Sequence, residues 1–263
     1  MAILALLLLS AALYGWGLAR VARLGRAFPR ACAVWFALGL AALAGALLGP
    51  LDDLADASLA WHMVQHLVLI SLAAPLLVLG APLRLLLAAL PATAATAAAR
   101  ALTSAPLRVL LNPFVALLQL TAVLYVAHFS PLYEAALSNE SVHAAEHALF
   151  LTSALIFWSS VFAVAPAPHA ASHAMRILVL FLAIPAGAFL GFAFYVARHV
   201  IYAHYAGRPD ALSDQQTAGE LMWICGSGPL VLAMLWCVAD WGAREQRLAL
   251  AADAAAMPAQ PER

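Results

Sequence analysis

The stretch Trp61–Pro82 reads WHMVQHLVLISLAAPLLVLGAP, and the interpretation of the whole chain depends on it. It joins two histidines four residues apart, His62 and His66, to an apolar run that is long enough to cross a bilayer. Residues at i and i+4 lie on the same face of a helix, one above the other. A polar pair at the start of an apolar helix is costly to bury without a partner. The stretch therefore predicts a membrane helix with a functional site at its start.

The second half of the chain repeats this arrangement in HAAEHALFLTSALIFWSSVF, which starts at His143 and places His147 four residues later. If the two helices are neighbours, four imidazoles point at one place. We therefore expect the His62/His66 and His143/His147 pairs to meet, because neither has another evident partner of its kind.

The composition indicates a membrane protein. The chain has 263 residues, of which 65% are hydrophobic and only 10% charged, whereas soluble domains carry about 25% charged residues. All thirteen basic residues are arginine, and the absence of lysine excludes a retinal protein, which needs a lysine Schiff base. There is no basic cluster with interleaved aromatic residues, so nucleic-acid binding is not supported.

Apolar segments predict an all-α, polytopic membrane protein with seven transmembrane helices in a single domain, 1–263. The predicted spans are 1–19, 31–48, 59–79, 113–128, 143–164, 177–197 and 217–239. Pro75 is expected to kink the third span. Residues 80–112 are expected to form a cytoplasmic connection with an interfacial helix, and 240–263 a disordered cytoplasmic tail.

The arginines are distributed asymmetrically between alternate loops. Eleven of thirteen fall in the loop between spans one and two, the connection 80–112, the turn ending at Arg176 and the tail. The positive-inside rule then predicts the N-terminus outside and the C-terminus in the cytoplasm. The first span is expected to be a retained anchor, because its basic residues follow it rather than precede it. On this topology both histidine pairs open helices at the outer face.

These histidines are candidate metal ligands. Imidazole is a common ligand of copper and zinc, and four nitrogens complete a tetrahedral or tetragonal site. His128 ends the fourth span on the same side and is a candidate fifth ligand. Glu146, Met222 and Cys225 are candidates for a secondary or weaker role, the sulfur atoms because soft donors favour monovalent copper. His169 and His173 fall on the inner side and are interpreted as solvated loop residues.

Two other interpretations use the same residues. His-x-x-Glu-His at 143–147 matches the inverted zinc-protease motif, in which Glu146 is the general base of an intramembrane hydrolase. Histidines on facing helices also ligate heme in membrane electron carriers, although i, i+4 pairs lie at nearly one depth and suit a small ion better.

Three stretches resemble the CtaG family of cytochrome c oxidase assembly factors, the polytopic family associated with caa-type oxidases. They are WHMVQHLVLISLAAPLLVLGAPLRLLL, HFSPLYEAALSNESVHAAEHALFLTSALIFW and LSDQQTAGELMWICG, and the resemblance runs from about residue 61 to 236. The family's histidines fall on positions selected above from the residues themselves: His62, His66, His128, His143 and His147.

The resemblance implies a non-catalytic protein of the bacterial inner membrane that is needed to mature the oxidase. It implies that copper, as Cu+ or Cu2+ and in preference to zinc, is held on the outer face and delivered to the oxidase. The expected partners are oxidase subunits, the lipid bilayer and a periplasmic copper donor.

Overall fold

The computed structural model of the chain describes residues 1–162 and 171–256, which are helical apart from short connections. The α-helices are α1 (Ala2–Arg23), α2 (Arg30–Leu47), α3 (Pro50–Ala57), α4 (Leu59–Leu67), α5 (Ala74–Leu79), α6 (Pro82–Ala89), α7 (Ala92–Leu102), α8 (Ala105–Leu110), α9 (Pro113–Phe129), α10 (Pro131–Ser138), α11 (Glu140–Phe162), α12 (His173–Val196) and α13 (Ala211–Ala256). A π-helical segment, Val68–Ala73, joins α4 to α5, and a 3₁₀ turn, Ala203–Tyr205, precedes α13.

The predicted all-α membrane fold is confirmed within the described residues. Six helical stretches are long and apolar enough to cross a bilayer: α1, α2, the run Leu59–Ala89, α11, α12 and Ala211–Ala252. A seventh candidate is α9 together with α10, which meet at a bend of 69°. The third stretch reaches beyond the predicted span, because α6 continues the apolar run that α4 begins. The connection expected at 80–112 therefore contains three short helices: α6, which extends the third span, and then α7 and α8.

The break in the third span comes just before Pro75, where a proline was expected to disturb the helix. Proline has no N–H to donate and crowds the preceding turn. The backbone responds with the π-helical segment, in which the Ala74 N–H reaches back to the Leu69 carbonyl. The Ile70 carbonyl in the same segment accepts a hydrogen bond of 2.9 Å from the Trp158 indole of α11. This bond joins the third span to α11, and these two spans carry the two histidine pairs.

Two predicted loops are helical in the structure. The acidic loop before the third span forms α3, which has Pro50 at its first position and Asp52 and Asp53 in its first turn. Both features stabilise a helix N-terminus. The loop after the fourth span contains α10, which Ser130 caps by accepting from the Leu132 N–H at 3.2 Å. These short helices were missed because each is too short to show a convincing apolar period.

The expected disorder of the C-terminal tail is wrong for residues 240–256, which continue α13 to Ala256. The sequence LALAADAAA at 248–256 explains the extension, because alanine and leucine have the highest helix propensities.

Helices α12 and α13 approach each other through glycine. An added methyl group at Gly191 would lie 2.5 Å from the Gly219 carbonyl oxygen, and one at Gly219 would lie 2.5 Å from that of Gly191. Small residues allow such close contact between membrane helices. The contact holds the part of α13 around Gly219 beside the bundle that carries the candidate site.

Candidate metal centre

Helix α4 places His62 and His66 on one buried face. Their side chains are 2% and 3% exposed, and their Nε2 atoms lie 3.1 Å apart. The i, i+4 spacing produces this arrangement, because side chains four residues apart lie on the same helix face. Among the described residues neither imidazole contacts a charged side chain. A buried pair of this kind in an apolar helix is typical of a ligand site.

Helix α11 brings the second pair to the first, as the sequence predicts. The His143 ring centroid lies 4.9 Å from that of His62, and His147 lies 5.2 Å from His66. One ring nitrogen from each of the four histidines falls within 4.8 Å of the others. The prediction that the two pairs meet is confirmed.

These distances suit a single small ion. Metal–nitrogen bonds of about 2.0–2.1 Å place two nitrogens of a tetrahedral site about 3.3–3.4 Å apart, and opposite nitrogens of a planar site about 4.1 Å apart. The 3.1 Å between the Nε2 atoms of His62 and His66 is close to the tetrahedral value. The widest separation, at most 4.8 Å, requires the nitrogens to approach by about 0.7 Å for a planar site and by about 1.4 Å for a tetrahedral one. Four imidazoles thus form a complete ligand set for copper or zinc.

His128 lies beside this group but is not a member of it. Its ring centroid is 6.2 Å from that of His66, and its Nδ1 lies 2.8 Å from the Leu124 carbonyl oxygen. The Nε2 atom is buried and has no hydrogen-bond partner among the described residues. His128, the expected fifth ligand, is therefore close to the four histidines, but its ring is oriented by the Leu124 carbonyl and not towards their common centre.

The three weaker candidates occupy different places. Glu146 is 2% exposed, and neither of its carboxylate oxygens has a hydrogen-bond partner within the described part of the chain. It therefore accepts no bond from a described histidine. Met222 is partly buried and lines a cavity that also contains His128. Cys225 is exposed, which separates it from the buried histidines.

Tyr205 orients His62 from the connection between α12 and α13. Its hydroxyl oxygen lies 3.4 Å from the His62 Nδ1 and 3.4 Å from the Ala55 carbonyl oxygen. Burial raises the pKa of Tyr205 far above its ordinary value, so the hydroxyl keeps its proton at physiological pH. When the hydroxyl donates to Ala55, its oxygen accepts from the His62 Nδ1–H. That arrangement leaves the His62 Nε2 lone pair free for a metal.

Asp214 fixes the start of α4 from the neighbouring helix. Its carboxylate accepts hydrogen bonds from the Ser58 hydroxyl at 2.6 Å and from the Leu59 N–H at 2.7 Å. A longer bond of 3.4 Å comes from the Ala60 N–H. A carboxylate at a helix N-terminus satisfies N–H groups that have no partner within the helix. Asp214 therefore sets the position of the helix that carries His62 and His66.

Two glutamines complete the frame of the site. Gln65 precedes His66 in α4 and is fully buried. Its side-chain amide donates to the Asp52 carboxylate at 2.7 Å and to the Ala46 carbonyl at 2.9 Å. Gln215 accepts from the Ile201 N–H at 2.7 Å and so ties the connection between α12 and α13 to the start of α13. Asp214 and Gln215 lie in LSDQQTAGELMW, one of the stretches that resemble the assembly-factor family, and this resemblance could have identified them. No sequence signal identified Tyr205 or Gln65 as site residues.

The remaining histidines lie apart from this group. His199 and His204 are exposed. His173, expected to be a solvated loop residue, instead opens α12 and contacts the Asp240 carboxylate at 2.9 Å. The expectation for His169 lies outside the described residues.

The fold and this site define a multi-pass helical membrane protein with a buried group of four histidines. The family model for the cytochrome c oxidase caa3 assembly factors matches residues 12–244. The chain therefore belongs to that family, which is described by assembly of an oxidase rather than by catalysis.

Three mycobacterial proteins are similar to the chain. An uncharacterized protein of Mycobacterium leprae is 26% identical over 253 residues, covering 91% of this chain and 38% of its own length. Proteins of Mycobacterium bovis and Mycobacterium tuberculosis are each 25% identical over 249 residues, again covering 38% of their length. The chain thus spans about two fifths of the length of these relatives. No solved structure matches the chain.

Proposed function

We propose that this protein holds copper at His62, His66, His143 and His147 and delivers it to cytochrome c oxidase. The observation that carries the proposal is the convergence of four imidazole nitrogens within 4.8 Å. Imidazole is a good ligand for both oxidation states of copper and for zinc. Copper is preferred because the family serves an oxidase whose redox centres contain copper.

The ligand set favours storage and transfer over hydrolysis. A catalytic zinc site has three protein ligands and keeps a fourth position open for water. Here four imidazoles fill a tetrahedral ion completely, so no position remains for an activated water. Glu146, the base in the hydrolase interpretation, would also need such a water within hydrogen-bond reach.

The geometry also favours a small ion over heme. His62 and His66 lie on one helix with their Nε2 atoms 3.1 Å apart, so they cannot bind opposite faces of a porphyrin. All four nitrogens converge on one point, and a macrocycle would have to separate them.

The proposed orientation follows the arginine distribution, with the N-terminus outside and the C-terminus in the cytoplasm. The four histidines then lie near the outer surface of the bacterial inner membrane. An oxidase takes up copper for its electron-accepting domain on that side. A periplasmic copper donor can load the site there, and an oxidase subunit can receive the ion.

The experiment compares single substitutions in cells that depend on this protein for the oxidase. His66→Ala and His147→Ala each remove one of four ligands, and alanine in a helix favours membrane insertion. We expect near-normal protein abundance with copper content and oxidase activity reduced together. His173→Ala is the matched control, since this histidine lies outside the group, and it should change neither quantity.

Glu146→Gln separates the proposal from the hydrolase alternative. Glutamine has nearly the same shape and carries no charge, so a copper-transfer protein should keep its metal and most of its oxidase activity. Complete loss of function with the metal retained would instead favour a hydrolase. If both histidine variants leave copper content and oxidase activity intact, the four-histidine site is not the functional centre.

A further inference from the structure

The cavity that contains His128 and Met222 lies on the deeper side of the four-histidine group. Its volume is about 100 Å³, and it is lined by α4, the π-helical segment, α9, α11, α12 and α13. Two histidines and two methionines are among the residues that line it: His66, His128, Met63 and Met222. The remaining lining is largely apolar and includes Phe157 and Leu120. The cavity is large enough for an ion, because a single water needs only about 10–15 Å³ on the same measure.

The orientation of His128 prepares it to bind a cation. A carbonyl oxygen can only accept a hydrogen bond, so the 2.8 Å contact with the Leu124 carbonyl requires the proton on Nδ1. In the neutral ring Nε2 then carries a lone pair. His128 is 3% exposed, and no described donor reaches its Nε2. A backbone carbonyl that fixes the far nitrogen is the usual support of a metal-ligating histidine.

His66 connects the two places. Its Nε2 lies 3.1 Å from the Nε2 of His62, within the four-histidine group. Its Nδ1 is buried and has no partner among the described residues. Because the two nitrogens lie on different edges of the ring, one residue borders both the upper group and the deeper cavity. The 6.2 Å between the ring centroids of His66 and His128 is short enough for both to contact one ion.

We propose that His128, with Met222 and Met63, forms a second metal position that takes monovalent copper from the four-histidine group through His66. This inference rests on the proposed copper function and extends it. Thioether sulfur is a soft donor that favours monovalent copper, whereas imidazole binds both oxidation states. The transfer is an exchange of neutral ligands around one ion, and no electron is transferred. Because a neutral imidazole has a single lone pair, the proton that His66 carries on Nδ1 while Nε2 binds the ion moves to Nε2 when the ion passes to Nδ1.

The two positions have different chemistry, and this suggests an order of events. An ion arriving at the half-buried His143 enters an all-nitrogen site that accepts either oxidation state. The deeper position, lined mostly by apolar residues and containing methionine, selects the monovalent ion. Copper is then held among apolar groups and soft ligands until the oxidase partner is engaged.

The test is the number of metal ions that each purified full-length protein binds, measured with Cu(I) and, as a redox-inert probe, Ag(I). We expect two ions per wild-type chain and one in His128→Leu and in Met222→Leu. Met234→Leu is the matched control, because this methionine packs in a different apolar cluster. It should bind two ions. X-ray absorption of the Cu(I)-loaded wild type should show sulfur neighbours that Met222→Leu reduces.

The outcomes distinguish this inference from the function on which it rests. One ion per wild-type chain, unaffected by His128→Leu and without sulfur neighbours, would show that the cavity holds only water and overturn the second position. The four-histidine site would then stand. Two ions that both persist in His128→Leu and Met222→Leu would also overturn it. Failure of the wild type to bind either ion would overturn both proposals.

Discussion

Asp214 provides a sharp test of how the site is positioned, because it touches neither a histidine nor the proposed metal. Its carboxylate accepts from the Ser58 hydroxyl at 2.6 Å, from the Leu59 N–H at 2.7 Å and from the Ala60 N–H at 3.4 Å. Asp214→Ala removes all three acceptor contacts at the start of α4. Asp214→Asn keeps one amide oxygen, and the Ser58 hydroxyl can rotate to accept from the new NH₂ group.

The magnitude follows from the two short bonds. A hydrogen bond to a charged group contributes about 1.5–3 kcal/mol, and the long third contact adds little. The site is only part-buried, so water replaces some of the lost bonding in the alanine variant. We therefore expect Asp214→Ala to lower the free energy of unfolding by about 2–4 kcal/mol and Asp214→Asn by about half as much.

The assay is the fraction of monodisperse protein that survives heating in detergent, read by size-exclusion chromatography. At about 2–4 °C per kcal/mol for a chain of this size, the alanine variant should lose about 4–16 °C. Metal affinity should fall with it, because His62 and His66 lie on the helix that Asp214 holds. Glu220→Ala, at an exposed carboxylate of the same helix, is the control. An unchanged midpoint with normal metal binding in Asp214→Ala would refute the proposed positioning role.

Three further predictions concern orientation, packing and topology. Tyr205→Phe removes the acceptor of the His62 Nδ1–H and should weaken metal binding about 10–100-fold with unchanged abundance, measured by competition with a chelator; unchanged affinity would contradict the role. Gly219→Ala places a methyl group 2.5 Å from a backbone oxygen of α12 and should lower the midpoint of thermal unfolding, whereas alanine at the uncrowded Gly15 should not. A cysteine at Ser138 should react with an impermeant thiol reagent added outside intact cells, and a cysteine at Ser104 should not; the reverse pattern would contradict the orientation.

The sequence predicts the membrane helices well, because a bilayer demands about twenty apolar residues per span and arginine marks the loops. The features that the sequence did not predict depend on local capping interactions or on contacts between distant segments. Helices α3 and α10 are too short to carry a clear period, and their caps at Gly49 and Ser130 became informative only once the backbone was known. The alanine and proline content of the tail predicts disorder, but alanine also favours a helix, and the helix forms as far as Ala256.

The candidate site was predictable where helix geometry fixes it. The i, i+4 spacing places His62 beside His66, and His143 and His147 are the pair with this spacing that is predicted on the same side of the membrane. The separate orientation of His128 was not predictable, because it depends on a hydrogen bond to the Leu124 carbonyl. The role of Tyr205 was equally hidden, since it lies 143 residues from His62 in the chain. A contact between residues so far apart in the chain produces no regular spacing in the sequence that could predict it.

The most direct test of the central claim is the metal content of the full-length protein purified from copper-replete cells. We predict at least one copper ion per wild-type chain, and loss of that ion from the four-histidine group when His62 and His143 are both replaced by alanine. Size-exclusion chromatography of the double variant must show a folded protein, so that the loss reports ligands rather than unfolding. Zinc in place of copper, or copper that the double variant retains in full, would contradict the account.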